Sequence, residues 1–285
     1  MMSRRSMMLG GMAGVLAAIG LSSAEVYASR YVNPYDPVLE RVTLPLPAEH
    51  SGLDGLKIGF VTDTHVGPFI SNDDMRRALD LLRPEAPDLL LLGGDYASES
   101  PRYVAGAAAV LGEFARETPL GGYGVMGNHD YSISGRYAID GLEDAGIGLL
   151  INDVAEVRVN GESLWIAGID ETLLGDPDVA GTFAKAPAGA AVLALWHEPQ
   201  FAEQAAKAGA FAQLSGHTHG GQIRLPGIGP LGLPVHGKRH VIGRSDANGM
   251  PVYTSRGVGV YRPPMRFNCP PEVTLVTLRA EAARE

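Results

Sequence analysis

Lys57-Ile58-Gly59-Phe60-Val61-Thr62-Asp63-Thr64-His65 is an apolar run that stops abruptly in an aspartate and a histidine. A short apolar run bounded by polar residues reads as a buried strand, so Asp63 and His65 stand just past a strand end. The same arrangement recurs four times downstream. Leu89 to Leu92 leads into Gly94-Asp95, and Tyr123 to Met126 leads into Gly127-Asn128-His129-Asp130. Val192 to Leu195 leads into Trp196-His197-Glu198, and Phe211 to Leu214 leads into Gly216-His217-Thr218-His219. Helical spacing fills the intervals: Met75, Ala78, Leu79 and Leu82 with Asn72 as cap, then helices over 103–117, 137–145 and 201–208. Strands alternating with helices make an α/β fold, and in such folds polar residues at strand ends gather along one edge.

The gathered residues have a common chemistry. Five of the eight histidines belong to these motifs. A glycine permits a tight turn after a strand, and histidines at i and i+2 on extended backbone point to the same side. Together the motifs supply carboxylate, imidazole and amide groups enough for two metal ions, and their convergence would make a two-metal hydrolase. Mixed nitrogen and oxygen ligands favour Mn²⁺, Fe²⁺ or Zn²⁺ over Ca²⁺.

Around this centre the chain organises simply. Pro34, Pro37, Pro45 and Pro47 mark residues 29–55 as a linker with an edge strand over Leu39 to Leu44. Alternation in Val154 to Val159, an Asn160-Gly161 turn and Ser163 to Ile169 predict a hairpin at the change to a second sheet. A last hairpin near Asn248-Gly249 and a strand over Val273 to Leu278 are expected to close that second sheet, within one domain spanning 56–280.

Asp63, His65, Asp95, Asn128, His129, His197, His217 and His219, in this order, resemble the calcineurin-like metallophosphoesterase superfamily over about residues 55 to 280. The resemblance implies a four-layer α-β-β-α sandwich of two mixed sheets. It implies that one divalent transition-metal ion takes Asp63, His65 and His219, that a second takes Asn128, His197 and His217, and that Asp95 bridges them. It implies further that His129 protonates the departing oxygen with Asp130 orienting it. Serine/threonine phosphatases of the superfamily continue the second motif as Gly-Asp-x-x-Asp-Arg-Gly; here it reads Gly94-Asp95-Tyr96-Ala97-Ser98, which argues against that branch.

The remaining features bear on substrate and location. A formal charge of −9 lacks the basic footprint of a general nucleic-acid binder, and the single Cys269 excludes an internal disulfide. Arg4-Arg5 ahead of an apolar stretch from Leu9 to Leu21 reads as a twin-arginine export signal, cleaved after Ala28 or kept as a signal anchor. The partners expected are the twin-arginine machinery and a membrane surface, and the location is the periplasm or the outer face of the inner membrane.

Ile223 to Val235 is an apolar, Gly- and Pro-rich segment directly after two expected ligands, which suggests a lipid-contacting rim or a cover for a sheet edge. Arg256, Arg262 and Arg266 could grip a phosphate. The tail from Tyr253 to Val273 resembles the bacterial membrane-linked phosphodiesterases, including UDP-2,3-diacylglucosamine hydrolases of lipid A synthesis. The reading is a dinuclear phosphoesterase, more specifically a phosphodiesterase with a small-molecule or lipid-linked substrate. An envelope phosphomonoesterase and a non-catalytic metal-stabilised binding module are the alternatives. UDP-linked sugars are cytoplasmic, so that substrate and an exported domain conflict.

Overall fold

The computed structural model describes residues 22–235 and 237–280. The Arg4-Arg5 pair, the apolar stretch Leu9 to Leu21 and His236 lie outside them. The expected cleavage point after Ala28 falls within helix α1, Ser23–Tyr31, which opens on a capping box between Ser22 and Glu25.

Two six-stranded sheets form the frame. The first runs β1 (Val38–Leu46), β14 (Glu272–Ala280), β2 (Lys57–Val61), β3 (Leu89–Leu92), β4 (Gly122–Gly124), β5 (Gly148–Leu149). The second runs β12 (Gly243–Ala247), β13 (Met250–Thr254), β9 (Ala212–Ser215), β8 (Ala191–Leu195), β7 (Glu162–Gly168), β6 (Asp153–Val159). In each, a parallel block carries antiparallel company: β2, β3, β4 and β5 are parallel beside antiparallel β14, and β7, β8, β9 and β13 are parallel between antiparallel β6 and β12. Both sheets are therefore mixed, and β10 (Arg224–Leu225) and β11 (Gly229–Pro230) form a separate short hairpin.

The period-two geometry of a strand sorts side chains between layers. Leu89 and Leu91 enter the core between the sheets with Ile58, Phe60, Leu193 and Leu214, whereas Leu90 and Leu92 pack under the helices of the first sheet. Those helices are α2 (Asn72–Leu79), α3 (Val104–Glu117) and α4 (Asn128–Asp144). The second sheet is covered by α5 (Val179–Phe183) and α6 (Ala202–Ala208), with Trp196, Ala202, Ala205 and Val252 in the outer core. This is the four-layer α-β-β-α arrangement.

Three expectations change. The last strand, β14, does not close the second sheet; it returns to the first and pairs with β1 and β2. Its alternation suits either sheet, since Val276 and Leu278 fill the shared core while Val273 and Leu275 meet helices. Helix α4 begins at Asn128, well before residue 137, and breaks at Ser134, where the backbone leaves the helical region. Ser71, not Asn72, caps α2, bonding reciprocally with Asp74.

Candidate metal centre

Every motif residue arrives at a strand end. Asp63 and His65 follow β2, Asp95 follows β3, Asn128 and His129 follow β4, His197 follows β8, and His217 and His219 follow β9. Because the two parallel blocks face each other, these ends meet above the shared core. The turns are tight: Asp63, His65, Asp95, His217 and His219 all have left-handed backbone, with φ between 45° and 67°. Such conformations cost non-glycine residues free energy and persist where surrounding structure holds them. Two glycines supply the necessary space. A Cβ on Gly127 would run into the Asp95 carboxylate, and one on Gly216 into that of Asp63.

The geometry brings one group of four together, Asp63, His65, Asp95 and His219, whose donor atoms all lie within 4.8 Å of one another. Oδ1 of Asp63 is 3.3 Å from Nε2 of His219. Asp95 Oδ2 stands 3.5 Å from His65 Nε2 and 3.4 Å from His197 Nε2, so one carboxylate oxygen faces both halves of the site. On the far side His217 Nδ1 is 3.0 Å from Asn128 Oδ1, and the rings of His197 and His217 meet edge-on at 5.0 Å.

Proton accounting shows that these residues fit cations. Nδ1 of His197 lies 2.6 Å from the Gly93 carbonyl, which can only accept, so Nδ1 carries a hydrogen and Nε2 is the atom turned toward Asp95. That Nε2 is buried without a hydrogen-bond partner. Nε2 of His217 meets the Val235 carbonyl at 3.1 Å, which leaves its Nδ1 lone pair facing the Asn128 oxygen. Nε2 of His65 faces Nε2 of His219 at 3.0 Å, while Nδ1 of His65 is held by Ser98 Oγ at 2.5 Å. Lone pairs converging on lone pairs are what a divalent ion satisfies, with the outer ring nitrogens fixed by further partners.

Electrostatics agrees. Burial pushes His65 down to about 3 and His217 down to about 4, and burial together with His65 lowers His219. All three are thus neutral imidazoles, the ligating form. Burial opposes charge on Asp95, but His197 outweighs it and holds the carboxyl well below its usual range; Asp95 in turn raises His197 against burial, so a cation bound there would displace the His197 proton.

The remaining predicted residues divide. His129 is half-buried in the cavity wall, its ring tilted 54° against that of Tyr261 with centroids 4.2 Å apart, and edge-on to His65 at 4.8 Å. Asp130 does not orient it. Its two oxygens accept the backbone N–H groups of Asp95, Tyr96 and Gly127 at 2.8–2.9 Å, so it braces the turn that carries the central carboxylate. Arg266 is wholly buried and donates to the carbonyls of Arg256, Gly257, Gly259 and Cys269; it clamps a loop and does not reach the cavity. That loop in turn supports the site, since Val258 and Gly259 donate to the carbonyls of Thr62 and Asp63. Arg256 is held between Glu40 and Glu272. Of the three arginines only Arg262 lines the cavity, paired with Glu99 at 2.7 Å.

Sequence reasoning passed over Tyr261 and Ser98, which lie within the quoted motifs but carry no signal of their own. Only the fold places Tyr261 beside His129. The cavity of about 530 Å³ over the centre is lined by Asn128, His129 and Tyr261 together with apolar Leu231, Leu233 and Pro234.

The calcineurin-like phosphoesterase family model matches residues 56–221, which include all of the convergent ligands. Among curated relatives, the uncharacterized metallophosphoesterase YkuE of Bacillus subtilis is 32% identical over 282 residues, 98% of each chain. An uncharacterized metallophosphoesterase of Aquifex aeolicus is 29% identical, covering 89% of this chain and 96% of its own. The phosphodiesterase YaeI of Escherichia coli is 32% identical, covering 78% of this chain and 82% of its own.

Proposed function

We propose that this chain, which belongs to the calcineurin-like phosphoesterase family and is accordingly a metal-binding hydrolase, acts as a dinuclear phosphodiesterase of the cell envelope on an amphiphilic substrate. One observation carries the dinuclear reading: Asp95 Oδ2 lies within 3.5 Å of ring nitrogens from both halves of the site. Asp63, His65 and His219 would hold one divalent ion, Asn128, His197 and His217 the other, with Asp95 shared. Bound there, such ions supply an activated water and stabilise charge on the phosphoryl oxygens.

The chain's own groups do the rest. Asp130 keeps Asp95 in place, Arg262 at the cavity wall offers a guanidinium to a phosphoryl oxygen, and the His129 imidazole is placed to deliver a proton to the leaving oxygen. The Tyr261 ring, tilted against His129 at 4.2 Å, limits the rotation of the imidazole for that transfer.

Three further parts of the reading have their own support. The diester preference rests on similarity to the phosphodiesterase YaeI. The amphiphilic substrate rests on Leu231, Leu233 and Pro234 in the cavity wall; UDP-2,3-diacylglucosamine is one molecule of that class. Export or anchoring rests on Arg4-Arg5 and the stretch from Leu9 to Leu21, and no helix of the described residues is long and apolar enough to cross a membrane.

The test is a panel of metal-loaded protein against a nitrophenyl monoester, a nitrophenyl diester and an acylated diester. The expected order has the acylated diester first and the monoester last, with all activity removed by chelation. Monoester preference would overturn the diesterase reading.

A further inference from the structure

We propose that the face bearing the cavity mouth rests on a lipid bilayer surface, and that helix α1 is the retained, rigid link between the N-terminal apolar stretch and the rim of the site. This deepens the amphiphilic-substrate reading and rests on the cavity being the active site. Six of the nine large apolar side chains exposed among the described residues come from two segments: Tyr27, Tyr31 and Val32 from α1 and its end, and Ile228, Leu231 and Val235 from the loop after β9.

The two segments meet at the mouth. Leu231 lines the cavity and its N–H donates to the carbonyl of Ile223, while Val26 of α1 packs, as Phe267 does, against the buried cluster of Ile223 and Met265. Arg30 of α1 lies over the Phe69 ring at 5.7 Å, and Arg262 of the cavity wall lies over the same ring at 5.8 Å. Ile228, at the tip of the short hairpin Arg224–Leu225 and Gly229–Pro230, is 71% exposed. Apolar groups exposed together at one rim mark an interaction surface.

The chain itself indicates what covers this rim. The 21 residues before Ser22 contain no aspartate or glutamate and include the apolar stretch from Leu9 to Leu21. They run directly into α1, and α1 is fastened to the body: the carbonyl of buried Ser29 accepts the N–H of Arg266 at 2.8 Å, and Asn33 Nδ2 donates to the Arg266 carbonyl at 3.0 Å. The residues that precede α1 in sequence are therefore joined to a helix held by the same loop that supports the site. Cleavage after Ala28 would remove Val26 and its packing, so the structure favours retention of the segment. Arg30 and Arg262, both lying over the Phe69 ring, add positive charge beside this rim, and basic groups at the edge of an apolar, tyrosine-bearing patch suit anionic headgroups.

The test uses the full chain reconstituted in phosphatidylcholine and phosphatidylglycerol vesicles containing doxyl-labelled lipid. Ile228→Cys and, separately, Val32→Cys carry an environment-sensitive fluorophore, with Arg158→Cys as control. Arg158 pairs with Ser163 near the start of β7, the end of the second sheet away from the site. Native Cys269 is buried, and unsubstituted protein sets the labelling background. Both rim probes should be quenched by the spin-labelled lipid several-fold more than the Arg158→Cys probe.

Equal quenching at all positions, or no quenching at the rim, would overturn the proposal. A probe signal that followed protein concentration and not lipid would assign the patch to a second copy and overturn it equally. Two rim positions in separate segments keep the test open if one variant does not fold. Chelator-sensitive hydrolysis of a soluble diester is measured on the same samples, so loss of the catalytic reading is seen independently of the quenching pattern.

Discussion

The backbone N–H of Asp95 donates to Oδ2 of Asp130 at 2.8 Å, so one buried carboxylate holds the turn that presents another. Asp130 is fully buried and also takes the N–H groups of Tyr96 and Gly127. Asp130→Ala leaves three buried donors without a partner, at about 1–3 kcal/mol for each such group, so urea unfolding should show a loss on the order of 3–5 kcal/mol. Metal content should fall with it. A variant of unchanged stability and metal content would show that the turn holds itself.

Asp95→Asn is expected to act differently, because the side chain keeps its size while its charge disappears. Elemental analysis should show reduced metal at both halves of the site, since Oδ2 faces His65 and His197 alike. Loss confined to one ion would make Asp95 a ligand of that half alone. Full occupancy with full activity would remove the bridging assignment.

His129→Ala should keep the metals, because His129 stands beside the convergent ligands in the cavity wall. Activity should drop by about 10²–10⁴-fold, as general-acid catalysis allows. The drop should be small for nitrophenyl diesters, whose leaving group needs no proton, and large for alkyl diesters. Equal losses for both in steady-state assays would exclude His129 as the leaving-group acid. Tyr261→Phe, which preserves the ring packed against His129, should behave nearly as wild type.

The motif residues were legible because strand ends in a mixed α/β fold bring short polar motifs together, and each motif follows its own apolar run. Leu89 to Leu92 shows the limit of that reading. All four residues are buried, two in each layer, so a run of identical leucines identifies a strand without saying what lies on either face. The same ambiguity assigned β14 to the wrong sheet. Asp130 and Arg266 were misread for another reason: a charged side chain beside a motif looks functional until its partners are seen, and both proved to be bonded to backbone.

Replacing Arg4 and Arg5 with Lys preserves charge and removes the feature that the twin-arginine receptor reads. The expected outcome is retention in the cytoplasm, measured by fractionation of cells producing the full chain. Unchanged distribution would leave the apolar stretch as a plain anchor.

Glu198 supplies the pH prediction. It is buried beside Glu171, and its carboxylate region accepts from the Thr172 backbone and hydroxyl. Burial and the hydrogen bond to Glu171 push the Glu198 carboxyl well above its ordinary value, so the pair shares a proton. A raised folded-state pKa means that the stabilisation is full below the ordinary glutamate value and is lost as pH rises through the folded one. Glu198→Gln supplies the shared hydrogen bond from an amide, which needs no proton. Its Tm should fall less than that of wild type as pH rises above the ordinary glutamate range, because only the wild-type pair has a shared proton to lose. Parallel Tm curves for the two proteins would mean that Glu198 ionises without consequence, and the shared proton would have to be abandoned.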